Sequence, residues 1–246
     1  MRCVFFVSFL LTTASIAGQQ APEVSQAKLF TYGELLRQHN VALTESALTN
    51  ALKSADADVR YLAAMKLAED KASDAIPSIR QALEIEKAPR DRVNIALALG
   101  LLGDENGGTE LKKVCRDKSF VPEFRLYAVR YTLDLHSKDD TDCLTAAREI
   151  SVSPTATVAD RVAALSLLTQ FGSLTPSELR KTSAVMQESL GDPEPTVRMA
   201  ASNGLAGLGA TSAVPFLASA IAKEKDENVR AVFKADLARL QGGGPH

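Results

Sequence analysis

The sequence predicts an all-α fold, a solenoid built from about six stacked helix pairs. Three observations predict it. Arginine recurs at 60, 92, 125, 161, 198 and 230, at spacings of 32, 33, 36, 37 and 32 residues. Apolar residues recur at fixed offsets after each arginine, in the rhythm of one helix face. The composition, 46% hydrophobic but only 5% aromatic and without Trp, describes a core of Leu, Ala, Val and Ile that suits close-packed helices.

Each element follows from that register. Three residues after the arginines stand Ala63, Ile95, Ala128, Ala164, Ala201 and Phe233. Seven after stand Leu67, Leu99, Leu168, Leu205 and Leu237, with Thr132 the exception. Ten after stand Leu102, Leu135, Phe171, Leu208 and Leu240, with Asp70 the exception. Each arginine therefore opens an amphipathic B helix, expected over 58–69, 89–102, 121–136, 156–171, 195–208 and 226–240. The A helices are expected over 44–54, 74–86, 107–116, 140–150, 175–190 and 211–223. Pro77 and Pro215 each lie 15 residues before their arginine, in a helix's first turn, where the lost N–H has no partner anyway. Thr175-Pro176-Ser177-Glu178 reads as an N-cap, a proline at N1 and a capping box. Gly103-Asp104, Gly172-Ser173 and Gly207 to Gly209 mark turns. A further helix around Ala27 to His39 is expected to cap the first unit.

The segments DPEPTVRMAASNGLAGLG, ADADVRYLAAMKLAE, PRDRVNIALALGLLGD and KDENVRAVFKADLARL resemble the HEAT-repeat family, in the short variant also seen in phycobilin-lyase-like repeats. The resemblance covers roughly residues 44 to 240. It implies a right-handed α–α superhelix of six HEAT-like pairs whose B helices line the concave face. It also implies that Arg60, Arg92, Arg125, Arg161, Arg198 and Arg230 are structural, each reaching an acid or carbonyl of its own or the adjacent repeat. Acids a few residues upstream give the expected partners: Asp192 for Arg198, Asp226 for Arg230, and Asp56 or Asp58 for Arg60. A guanidinium fork suits such a fixed contact better than Lys would. The third and fourth units depart from the pattern, through the aromatic insertions of FVPEFRLYAVRYTLDL and through Asp160, which like Asp91 replaces the Val before its arginine.

The N-terminus carries its own signals. Met1-Arg2, an apolar run from Cys3 to Leu11, and Ser15-Ile16-Ala17 read as a signal peptide cleaved near Ala17. The run is shorter than the ~20 residues of a membrane span. The expected division is a cleaved segment at 1–17, an N-terminal segment with a capping helix at 18–43, the repeat domain at 44–241, and a disordered tail at 242–246. The destination is secreted or periplasmic, with no membrane span after cleavage. Removing Arg2 leaves 27 bases against 30 acids, a formal charge of −3. That balance argues against a nucleic-acid partner. Cys115 and Cys143 then remain. An oxidising compartment favours pairing them. Register weighs against it, because Cys115 ends one A helix and Cys143 begins the next, and in a level stack that offset exceeds the ~7 Å limit between Cα atoms.

Catalytic constellations are absent from the sequence: no HExxH, CxxC, GxSxG or Walker-type loop. The histidines are His39, His136 and His246. The Gly103–Gly108 stretch fails the EF-hand template, because Cys115 stands where Glu is required. His136, Asp139 and Asp142 form a polar cluster better read as a solvated loop before a helix N-terminus than as a cation site. No catalytic, cofactor or metal residue is assigned. The residues placed to face the concave side are Tyr61, Met65, Asn94, Tyr127, Arg130, Met199 and Asn203, with Tyr and Arg the types enriched at interface hot spots. The expected function is a non-catalytic scaffold that binds a protein or peptide. The alternative is a lyase-like or ligand-carrying repeat protein.

Overall fold

The computed structural model describes residues 30–136, 141–172 and 174–242. The expected signal segment, Asp139, His246 and the last residues of the tail lie outside them. Among the described residues there are thirteen α-helices and no strand. The capping helix α1 is Tyr32–Gln38. Six helix pairs follow: α2 (Glu45–Ala51) with α3 (Ala57–Glu69), α4 (Ile76–Ile85) with α5 (Pro89–Leu101), and α6 (Glu105–Arg116) with α7 (Pro122–Asp134). The last three are α8 (Thr141–Ser151) with α9 (Val158–Leu168), α10 (Pro176–Ser189) with α11 (Pro195–Gly207), and α12 (Val214–Lys223) with α13 (Glu227–Gly242). Every expected helix is present, most of them shorter than the periodicity indicated. Four ends differ the other way: α3 begins at Ala57 and α8 ends at Ser151, each by one residue, α6 begins at Glu105 rather than 107, and α13 runs into the expected tail as far as Gly242.

Local chemistry sets the ends. Thr31, Thr157 and Thr175 each close a capping box, with Glu34, Asp160 and Glu178 at N3. Prolines open α5, α7, α10 and α11. The residue eleven after the arginine takes a left-handed conformation in four B-helix ends: Lys71 (φ 58°), Gly103 (φ 80°), His136 (φ 49°) and Gly209 (φ 61°). This is the usual way to turn the chain out of a helix, and it favours glycine. His136 is therefore a helix terminator. Asp104 caps α6 by accepting from the Asn106 N–H and pairs with Arg80, so the Gly103–Gly108 stretch is an inter-helix turn.

The core lies between the two rows of helices. All six residues at the third offset are fully buried, as are Leu67, Leu99, Leu168 and Leu205 at the seventh. Thr132, the exception there, is buried too; its hydroxyl donates to the Ala128 carbonyl at 2.8 Å and touches Cys143 Sγ. At both ends of the array the B helices pack extensively on one another (α3 on α5, α9 on α11, α11 on α13), while α2–α4 and α10–α12 make at most marginal contact. The B row is thus the inner row there. In the middle the balance reverses, and α6 packs on α8 at least as closely as α7 packs on α5 or α9.

A disulfide sits at that point. Cys115 and Cys143 are bonded, with Cα atoms 4.9 Å apart, which corrects the register reading. That reading assumed level stacking. Equivalent positions are 32–37 residues apart, and the cysteines are separated by only 28. The outer helices are staggered instead, so that the last turn of α6 meets the first turn of α8. Arg116 Nε lies 3.5 Å from Asp142 at the same junction.

The repeated arginines bridge the stack in one direction. The first five each donate to one or two carbonyls at or after the end of their own A helix and to a carboxylate of the next repeat. Arg60 takes Ser54 and Ala55 carbonyls and Glu86. Arg92 takes Leu83 and Glu86 carbonyls and Glu110. Arg125 takes the Cys115 carbonyl and Glu149. Arg161 takes the Ala156 carbonyl and both oxygens of Asp192, at 3.0 and 3.2 Å. Arg198 takes Asp192 and Pro193 carbonyls and both oxygens of Glu224, at 2.7 and 2.9 Å. Arg230, in the last repeat, has only the Glu224 carbonyl and its own Glu227. The expected partners are corrected accordingly. Asp192 gives Arg198 its carbonyl and gives its carboxylate to Arg161, because the acid at the turn faces back toward the preceding B helix. Asp226 caps α13 through Asn228 N–H, and Asp56 caps α3 through Asp58 N–H. Asp58 pairs with Arg90.

Candidate interaction surface

The B helices α3, α5 and α7 carry an aromatic cluster, built from residues one to two turns along each. On α3, Tyr61 is half-buried, with the Arg90 guanidinium of α5 5.2 Å from its ring centroid. Arg90 is fixed from both sides: its Nε donates to Asp91 Oδ1 at 2.9 Å, and it pairs with Asp58. One turn further along α5, Asn94 Oδ1 accepts from the Tyr131 hydroxyl of α7 at 2.9 Å. On α7 the rings of Tyr127 and Tyr131 stack, with centroids 6.4 Å apart and planes at 16°, and Phe124 tilts against Tyr127 at 6.2 Å. The Tyr127 hydroxyl donates to Glu123 at 2.9 Å.

Electrostatics ties the same groups together. Burial pushes the Tyr131 phenol up to about 12, with smaller contributions from Tyr32 and Tyr127. Burial also raises Tyr61 and Tyr32. The Asp91 carboxyl is raised, chiefly because it is buried, even though Arg90 opposes the shift. All four tyrosines of the chain, Tyr32, Tyr61, Tyr127 and Tyr131, therefore gather around this part of the inner row. Tyr127 remains 38% exposed and Leu101, two turns beyond Asn94 on α5, 52% exposed.

Of the residues expected to face a partner, Tyr61, Asn94 and Tyr127 belong to this cluster, and Arg130 is exposed beside it on α7. Met65 does not: it is buried in the core. Met199 and Asn203 stand on α11, away from the tyrosines, the first packed against the core and the second exposed. Tyr32, Arg90 and Tyr131 escaped the register reading, because they sit before a repeat, two residues before its arginine and six after. The pairing of Tyr127 with Tyr131 at i,i+4 is the signal that marks them.

Among the described residues no three His, Cys, Asp or Glu side chains gather as a metal site requires. His39 Nδ1 lies 3.5 Å from Asp56 at the surface. No helix among the described residues is long and apolar enough to cross a membrane.

No curated protein sequence matches the chain. Among solved structures it is similar to the complex of CpcE and CpcF of phycocyanin lyase from Nostoc sp. PCC7120, at 22% identity and a TM-score of 0.47, over 90% of this chain and 80% of that one. It is also similar to human deoxyhypusine hydroxylase in complex with glycerol, at 20% identity and a TM-score of 0.34, over 80% and 73%. The family model for HEAT repeats matches residues 45–132 and 153–238, leaving between them the staggered α8 and its half of the disulfide. With the model matched over most of its length and the stacked pairs it describes present throughout, the chain belongs to the HEAT-repeat family.

Proposed function

We propose that the protein is an exported, non-catalytic scaffold that engages a protein or peptide through the inner face of its B helices. The observation that carries this reading is the tyrosine cluster. Four tyrosines, of which Tyr131 is held by Asn94 and Tyr61 by Arg90, present a partly exposed aromatic surface, and exposed Leu101 stands two turns beyond Asn94 on α5. Tyrosine offers large contact area at little entropic cost, and it is enriched where interfaces concentrate their energy. The arginine rungs support the reading as well, since a stack tied from repeat to repeat presents a preorganised surface. The Cys115–Cys143 bond supports export, because such bonds persist in oxidising compartments.

The test is affinity capture from an envelope or secreted fraction, using the full chain and its Leu101→Lys and Tyr127→Ala variants. A stoichiometric protein partner recovered by the parent and lost by both variants is the expected result. Recovery of a chromophore or other small ligand, with no protein, overturns the scaffold reading in favour of a lyase-like or ligand-carrying role.

A further inference from the structure

The fifth and sixth repeats hold an open cleft between the A helices α10 and α12, about 450 Å³ in volume. That size is within the range of small-molecule sites. The two helices make at most marginal contact, and the Arg198–Glu224 pair lines the space between them. Leu190, Phe216 and Ala220 give the cleft apolar surface, and Phe216 is 51% exposed.

The first two repeats supply a comparison within the same chain. Arg60 reaches Glu86 across 26 residues, as Arg198 reaches Glu224, so the positions around the two rungs correspond. Leu52 and Ala82 match Leu190 and Ala220. The residues around them do not match. Lys53 and Gln81 stand where the later rung has Gly191 and Ser219, both short. Ser78 stands where it has Phe216, and Ile85 where it has Lys223. Ala82 is 2% exposed, whereas Ala220 is only partly buried. The later rung thus has less bulk at two cleft positions, and an aromatic ring and a cation at two more.

The charge lining the cleft is unevenly spent. Both Glu224 oxygens accept from Arg198, and both Asp192 oxygens accept from Arg161. Lys223 and Lys225 also line it and are exposed, and neither ammonium makes an ion pair or hydrogen bond with the described residues. The cleft therefore offers a ligand apolar surface and two free cations.

We infer that this cleft binds a small soluble amphiphile, with its apolar body against Phe216, Leu190 and Ala220 and a carboxylate head at Lys223 and Lys225. Charge complementarity selects the head, because the acids in the lining are already neutralised and the lysines are not. The inference stands apart from the scaffold reading, since the cleft opens between A helices and the tyrosines stand on α3, α5 and α7.

The experiment is a titration of the full chain with decanoate below its micelle concentration, read at the assigned Phe216 ring and the Leu190 and Ala220 methyl resonances. Decanol serves as the uncharged counterpart. Saturable shifts confined to the cleft are expected, with decanoate bound about three- to tenfold more tightly, the worth of two exposed ion pairs. Lys223→Gln/Lys225→Gln is expected to erase that preference and leave decanol binding unchanged. Gly191→Gln/Ser219→Gln, which returns the length of the first rung's side chains, is expected to abolish binding of both. The backbone accepts it, because a Cβ at Gly191 meets only the Glu188 carbonyl oxygen, at 3.6 Å. Urea midpoints of the variants report whether the stack is intact. No saturable shift, equal affinity for decanol and decanoate, or undiminished binding by an intact Gly191→Gln/Ser219→Gln overturns the site. Shifts spread equally to the Tyr127 ring overturn it too.

Discussion

Replacing Arg198 with alanine removes a complete rung between the fifth and sixth repeats. Its guanidinium makes two hydrogen bonds to Glu224 and two to the Asp192 and Pro193 carbonyls. The two side chains are only 14% and 6% exposed. Removing one member of a shielded pair strands the other, at about 3–5 kcal/mol. Glu224 keeps the Lys225 and Asp226 N–H donors, so the cost belongs at the lower end, about 3 kcal/mol. For a chain of this size that lowers the thermal midpoint by roughly 6–12 °C. Arg230→Ala is the control, because that arginine has no carboxylate from a following repeat and its partner Glu227 is 80% exposed; its loss costs about 1 kcal/mol. Urea unfolding of both variants, with Arg198→Ala/Glu224→Gln beside them, measures the difference. Glu224→Gln added to Arg198→Ala should cost little or restore stability, since it removes the stranded charge. Equal costs for Arg198→Ala and Arg230→Ala, or strictly additive effects in the double variant, would mean that the rung to Glu224 does not stabilise the stack.

The Cys115–Cys143 bond closes a 28-residue separation, for which loop-closure entropy gives about 3–4 kcal/mol. Cys115→Ala/Cys143→Ala should lower the urea midpoint accordingly, and a reductant should lower that of the parent but not of the variant. Acid should destabilise the stack. Glu224 is held below the usual carboxylate range chiefly by Arg198; for Glu110 and Glu149 burial pushes upward but Arg92 and Lys118 with Arg125 outweigh it. With folded values below unfolded ones, their contribution is full above about pH 4.3 and is lost as pH falls through the folded values, so the urea midpoint should drop between about pH 5 and 3. Gly107→Ala should cost about 2–3 kcal/mol, because a Cβ there would stand 2.4 Å from the Ala96 carbonyl oxygen where α6 crosses α5. Gly108→Ala, facing open space, should be neutral or slightly stabilising in the same unfolding assay.

Where function depends on helix faces within one repeat, the residues were readable in advance. The third offset, from Ala63 to Phe233, is buried in all six units, and Thr175 caps its helix with Glu178 as the spacing predicts. Both are local properties, fixed by a 3.6-residue period and first-turn geometry. Contacts between repeats were less legible. Asp192 lies only six residues before Arg198, yet its carboxylate faces the preceding repeat, a direction that no offset within one unit encodes. The disulfide depended on an axial stagger between α6 and α8 that the even spacing of the arginines concealed. Thr132 was the trace of it, a polar residue in a leucine position because it lies against Cys143. The tyrosine cluster was legible in part. Tyr61, Asn94 and Tyr127 fall on the expected face, whereas Tyr131 reaches it by leaning across to Asn94.

The central claim is that a protein partner meets the inner row. A photo-reactive amino acid placed at Ala159 or Leu101 on that row, and at Ile85 or Phe216 on exposed A-helix positions, tests it in the protein's own compartment. A discrete cross-linked protein is expected from Ala159 and Leu101 and none from Ile85 and Phe216. Cross-links confined to Ile85 or Phe216 would contradict the claim.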